Sequence, residues 1–145
     1  EGHNALGVNV VWQGPDGQAE PFTRMRPGTP GLDEWHGVIK PDAVGRWTFT
    51  IEAFDDPYLT WRDAVVKKIG AGQGLEDLAN DIAEGAEVLD LASKIVPGPD
   101  QDRVREAAAA LRDEHRSLFN RVSPALELQG LLWEHPVRQY VTTTR

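Results

Sequence analysis

Between Val44 and Ala53 the residues alternate without a break. Gly45, Trp47, Phe49, Ile51 and Ala53 fall in one phase, and Arg46, Thr48, Thr50 and Glu52 in the other. A period of two in residues that favour extended backbone predicts a strand with one buried and one wet face. The Gly45-Trp47 phase is the face expected to be buried, with Trp47 in the core. Pro41-Asp42-Ala43-Val44-Gly45 supplies turn chemistry just before it. That turn predicts a hairpin with the strand-like run Trp35-His36-Gly37-Val38-Ile39.

The chain around this strand reads as more short strands. Ala5–Trp12 places Leu6, Val8, Val10 and Trp12 in phase, and Gly14-Pro15-Asp16-Gly17-Gln18 turns the chain. Phe22–Met25 is a candidate edge strand, and Pro27–Gly31 a loop. Asp55-Asp56-Pro57 ends the central strand, and Leu59–Ile69 is expected to form one more. Short strands separated by Gly/Pro turns imply an antiparallel β-sandwich of the immunoglobulin-like kind.

At Gly70-Ala71-Gly72-Gln73-Gly74 the period changes to that of a helix. Leu75, Leu78, Ile82, Leu89 and Ala92 recur at helical spacing, with Val88, Leu91 and Ile95 widening the stripe. Pro97-Gly98-Pro99 stops that helix. Asp100 is the expected cap of a second, whose face is Val104, Ala107, Ala108, Leu111 and Leu118. Ser123-Pro124 signals the start of a third, which stops at Pro136. Gln139–Thr144 returns to strand. The fold class is therefore α+β, a sandwich with an inserted bundle of about three helices. Residues 1–69 form the sandwich strands, 70–135 the insertion and 136–145 the returning strand.

Charge and composition remove several functions. A formal net charge of -8 repels nucleic-acid phosphates and anionic membrane surfaces alike. The chain has 0 cysteines, which excludes disulfide scaffolds, thiolate metal sites and cysteine nucleophiles and fits the cytoplasm. No apolar run reaches the roughly 20 residues needed to span a bilayer. A start at Glu1-Gly2-His3 without methionine is expected of a piece of a larger protein.

Candidate chemistry is sparse. Gly70-x-Gly72-x-Gly74 imitates a dinucleotide-binding loop, but its third glycine comes one residue early. Glu76 and Asp77 also occupy the turn where a phosphate would sit. A flexible junction into the helices is the better expectation. Adjacent Asp55 and Asp56 point to opposite faces if extended, unlike the facing carboxylates of glycosidases. His3, His36, His115 and His135 lack zinc-site spacing, and Ser93, Ser117 and Ser123 lie in no nucleophile elbow. No catalytic residue, metal or cofactor is nominated. Of the 5 tryptophans, Trp12, Trp35 and Trp133 are candidates for glycan or subunit contact.

Glu1-Gly2-His3, Gly45–Phe54, Asp56-Pro57-Tyr58-Leu59-Thr60-Trp61-Arg62, Ala71–Gly74 through Asn80-Asp81, Ala107–Arg112 and His135–Thr142 occur in this order. Together they resemble the N-terminal domain of the bacterial maltosyltransferases that extend α-1,4-glucans from maltose 1-phosphate. The resemblance covers nearly the whole chain. It implies a β-sandwich with a helical insertion in a protein of the α-amylase superfamily. It also implies a homodimer, an α-glucan substrate, and a downstream TIM barrel that carries the catalytic aspartate and glutamate. Further strands of the sandwich are then expected outside this chain. An autonomous carbohydrate-binding module, or the equivalent domain of another α-amylase-family enzyme, are the alternatives.

Overall fold

The chain changes period at Asp56, whose carboxylate accepts the Leu59 backbone N–H at 3.1 Å. Pro57 fills the first helical position, where no N–H is needed. Helix α1 runs Pro57–Gly70. The strand expected over Leu59–Ile69 is thus a helix, because the Asp-Pro pair read as the end of a strand is a helix start. Tyr58, Trp61 and Val65, at helical spacing, form its buried stripe. The computed structural model describes residues 5–16, 22–32 and 34–144.

Gly72 ends α1 in a Schellman motif. Its φ of 86° suits only a residue without a Cβ penalty, and its N–H reaches the Ile69 carbonyl at 3.0 Å while Gln73 N–H reaches Lys68 at 3.1 Å. The glycine cluster is therefore a helix stop, and Gly74 N–H is taken by the Asp77 carboxylate at 3.1 Å.

Four helices follow: α2 (Ala79–Ala92), α3 (Gly98–Arg112), α4 (Leu118–Leu126) and α5 (Gln129–Glu134). Two expected starts are displaced. α3 begins after Pro97, with Asp100 already in its first turn. The cap of α4 is Ser117, which accepts from Asn120 N–H, so Leu118 opens α4 and does not extend α3. Ser123-Pro124 lies inside α4. Proline there cannot donate to the Asn120 carbonyl, and Arg116 donates to it instead at 3.4 Å. Tyr58, Trp61, Val65, Leu78, Ile82, Leu89, Val104, Leu111, Val122, Leu128 and Leu132 share one apolar core. Of the stripe, Leu75, Leu91 and Ile95 stay exposed.

The strands are β1 (Leu6–Gln13), β2 (Thr23–Arg24), β3 (Arg26–Pro27), β4 (Trp35–His36), β5 (Thr48–Asp55) and β6 (Gln139–Thr144). One antiparallel sheet has the order β2-β1-β5-β6, and β3 pairs β4 in a second. The expected hairpin between the Trp35 and Trp47 strands does not form, since β5 pairs β1 and β6. Two compact units result. The helical one comprises Asp56–Val137 with Ala5, and the other holds both sheets, Leu6–Asp55 with 138–144.

The alternation in β5 is real, but its buried phase is inverted. Phe49 and Ile51 are 48% and 37% exposed, whereas Glu52 and Phe54 are buried. Register explains this, because Gly7 stands opposite Phe54 and leaves room for its ring. A Cβ on Gly7 would lie 2.3 Å from that ring. The Arg24 guanidinium covers the same ring at 5.1 Å. Trp47 is half-buried and outside the core. It stacks on Trp12, with ring centroids 5.3 Å apart.

Candidate interaction surfaces

Two features of the sheet unit could serve a partner, one on each face of the four-stranded sheet. On the first, Val8, Val10 and Trp12 of β1 stand opposite Ala53, Ile51 and Phe49 of β5. Val8 and Val10 are buried, and a Cβ on Gly37 would sit 3.7 Å from Val10 and 3.2 Å from Met25. Gly37 therefore lies against Val10 and Met25 on the β1 side of this face. The β5 half carries the exposed Phe49 and Ile51. Trp12 and Trp47 extend this aromatic surface, and Trp47 Nε1–H donates to the Ala43 carbonyl at 3.1 Å.

The opposite face holds a polar row that crosses the sheet. Arg24, Asn9, Glu52 and Thr143 are successive partners across β2, β1, β5 and β6. Asn9 is 0% exposed, and Arg24 and Glu52 are also buried. Asn9 Nδ2–H donates to Glu52 Oε1 at 2.9 Å, and the Arg138 guanidinium donates to the same oxygen. Burying a carboxylate is tolerable only with such partners. Arg138 also lies 5.4 Å from the Phe22 ring centroid. Sequence reasoning missed this row. The available signal was Asn9 inside an apolar run, a residue that must find a partner if buried.

In the helical unit the chemistry-bearing side chains hold structure. Tyr58 donates its hydroxyl to the Ala125 carbonyl at 2.6 Å, and Arg62 Nε–H donates to Leu126 at 3.0 Å. Arg103 donates to Glu127 at 3.2 Å. These groups donate to carbonyls at the end of α4, where backbone donors become scarce. Burial pushes the Tyr58 phenol well above its ordinary value. Lys68 bridges to Asp81 at 3.0 Å between α1 and α2.

The nominated residues, His3 apart, have definite places in the fold. Trp12 joins Trp47 on the four-stranded sheet, Trp35 lies on β4 opposite Pro27, and Trp133 is half-buried on α5 of the helical unit. Asp56 caps α1 and Asp55 ends β5, so the two carboxylates do separate jobs. Ser93, Ser117 and Ser123 bond to Asp90, Asn120 and Phe119 of their own helices. His36 lies 3.7 Å from Glu34, His115 is exposed and His135 ends α5. His3 falls outside the described residues. Among the described residues no three His, Cys, Asp or Glu side chains gather as a metal site, and no helix is long and apolar enough to cross a membrane.

The sequence profile described as Alpha-1,4-glucan:maltose-1-phosphate maltosyltransferase, domain N/S, matches residues 1–145. The chain is similar to Alpha-1,4-glucan:maltose-1-phosphate maltosyltransferase 1 of Streptomyces coelicolor, with 40% identity over 99% of this chain and 21% of the relative. The Mycolicibacterium smegmatis maltosyltransferase is 42% identical over 76% of the chain and 16% of the relative. The Mycobacterium tuberculosis H37Rv protein of the same name is 39% identical over 86% and 19%. The chain thus spans about a fifth of the length of the curated relatives it matches. A family match over every residue, with relatives of one name along nearly all of the chain, leads to one conclusion: the chain belongs to the alpha-1,4-glucan:maltose-1-phosphate maltosyltransferase family, as its N/S domain.

Proposed function

We propose that this chain is a non-catalytic portion of a cytoplasmic maltosyltransferase that transfers maltose from maltose 1-phosphate to an α-1,4-glucan. Its role is to brace a TIM-barrel catalytic domain of the same polypeptide and to contribute to a homodimer. The observation that carries the reading is the match to the N/S domain along all of 1–145. The engagement of Asp56, Ser93, Ser117 and Ser123 in caps and helix contacts agrees with it. The antiparallel sheets, with the helices inserted between β5 and β6, support the reading of an immunoglobulin-like sandwich with an insertion. Phosphate release from maltose 1-phosphate tests the proposal. The 145-residue chain is expected to release none, and release by it alone overturns the scaffold role.

One observation favours a second reading. The Trp12–Trp47 pair beside the exposed Phe49 is the kind of aromatic surface on which sugar rings stack. Titration with maltooligosaccharide, followed by tryptophan fluorescence, separates the two readings. A silent titration at millimolar sugar removes autonomous binding, and Trp12→Ala abolishes any true response.

A further inference from the structure

We infer that the buried side-chain oxygen of Asn9 holds one structural water, which bridges it to the Arg24 guanidinium and completes the polar row across the four-stranded sheet. Asn9 lies in an apolar run, with Val8 and Val10 on either side, and it is itself 0% exposed. Its Nδ2–H donates to Glu52 Oε1 at 2.9 Å, which fixes the amide and turns Oδ1 away from Glu52. That oxygen is buried and accepts no hydrogen bond among the described residues. An acceptor left dry in such a place loses the whole of its hydration. An apolar side chain of similar size would cost less there, so the amide is expected to use both of its ends.

Charge and geometry choose the occupant. On the other side of Asn9 in the row stands Arg24 of β2. Arg24 is also buried, with its guanidinium 5.1 Å from the Phe54 ring centroid. Arg138 donates to the same Glu52 oxygen that Asn9 uses. Two guanidinium groups along one row repel a metal cation, and an amide oxygen repels an anion. The group that suits Oδ1 is therefore a small neutral donor that can also accept from a guanidinium. Water is that group, and a buried water typically makes about two to four such bonds.

Hydrated in this way, the row specifies register. Arg24, Asn9, Glu52 and Thr143 are successive partners across the sheet. A slip of β1 by one residue would set Val8 or Val10 against Glu52. The carboxylate would then lose its Asn9 donor, and the water would lose the acceptor that holds it. Nothing in this depends on the maltosyltransferase reading.

The experiment joins a crystal structure of the chain, alone or within the longer polypeptide, to water relaxation dispersion of the chain in solution. The crystal must diffract well enough to show ordered solvent. The expected density is one water within hydrogen-bonding distance of both Asn9 Oδ1 and an Arg24 nitrogen. The dispersion of the unaltered chain is expected to exceed that of Asn9→Leu by one long-lived water. Direct donation from Arg24 to Oδ1, an amide turned so that Oδ1 faces Glu52, or an Oδ1 with no water beside it in well-ordered density overturns the inference. Equal numbers of long-lived waters in the two chains also overturn it. If Asn9→Leu fails to fold, the density beside Asn9 in the unaltered chain decides alone.

Discussion

The Tyr58 hydroxyl of α1 donates to the Ala125 carbonyl of α4 at 2.6 Å, from a side chain that is only 2% exposed. This bond ties the first helix to the fourth and adds a second donor to a carbonyl that the Leu128 N–H also reaches at 3.2 Å. Replacement by phenylalanine keeps the ring and removes the donor. Tyr58→Phe is expected to cost about 1–3 kcal/mol, the usual penalty for stripping one partner from a buried hydrogen bond. Urea unfolding of the pair of proteins measures it.

The same phenol sets an alkaline limit. Burial raises its folded value above the ordinary 10.0, so the folded state holds a proton that the unfolded state loses. Stability is therefore fully present below pH 10 and declines as pH rises beyond it. In a Tyr140→Phe background Tyr58 is the remaining phenol of the 2 tyrosines. An absorbance titration should then show phenolate appearing together with loss of helical circular dichroism. Phenolate formed in a still-folded protein contradicts the burial argument.

Two glycines should respond oppositely to alanine. A Cβ on Gly85 of α2 would stand 2.4 Å from the Trp61 indole, whereas one on Gly130 of α5 meets nothing within 4 Å. Gly85→Ala must push aside a ring whose Nε1–H donates to the Asp81 carbonyl at 2.6 Å, a loss of about 1–3 kcal/mol. Gly130→Ala gains roughly 0.5–1 kcal/mol from helix propensity. Thermal unfolding of both variants reads the two signs.

The Asp56 cap is expected to be worth about 0.5–2 kcal/mol. Its carboxylate holds the Leu59 N–H from a site only 1% exposed, and alanine leaves that donor unmet. Asp56→Asn should retain most of the stability, since asparagine also caps. Equal losses in the two variants would show that the negative charge, not the acceptor, matters there.

Arg112 and Asp90 join α3 to α2 through two hydrogen bonds at 3.1 and 2.7 Å. The Arg112 hydrogen bond holds the Asp90 carboxyl below its ordinary value, so its contribution is present above that value and lost as pH falls through the folded one. Both side chains are about half exposed, which limits the pair to about 0.2–1 kcal/mol. Arg112→Ala should move the Asp90 carboxyl titration upward, as seen by NMR.

Much of the plan was legible in the residues. The Ala5–Trp12 strand, the end of the last helix before Pro136 and the returning strand all carry local signals that the fold obeys, whereas the change to helix expected at Gly70–Gly74 comes already at Asp56. Errors arose where one signal had two physical meanings. Asp56-Pro57 suits a strand end and a helix cap equally, and the β-branched and aromatic residues after it favoured the wrong one. Ser123-Pro124 matched a helix start, yet Ser117 took the cap and Arg116 compensated for the proline. The buried phase of β5 depends on what covers each face, which alternation cannot specify. The Arg24–Asn9–Glu52 row was invisible for the same reason, since cross-strand partners follow from register. The tryptophans were found as candidates, but their division between two units is a property of topology.

The division of labour between this chain and the rest of its polypeptide is tested most directly by one comparison. Phosphate release from maltose 1-phosphate, with an α-1,4-glucan acceptor present, is followed for the 145-residue chain and for the longer polypeptide at equal molarity. The account predicts turnover by the longer polypeptide and none by the chain alone. Turnover by the isolated chain, or none by the longer polypeptide, contradicts it.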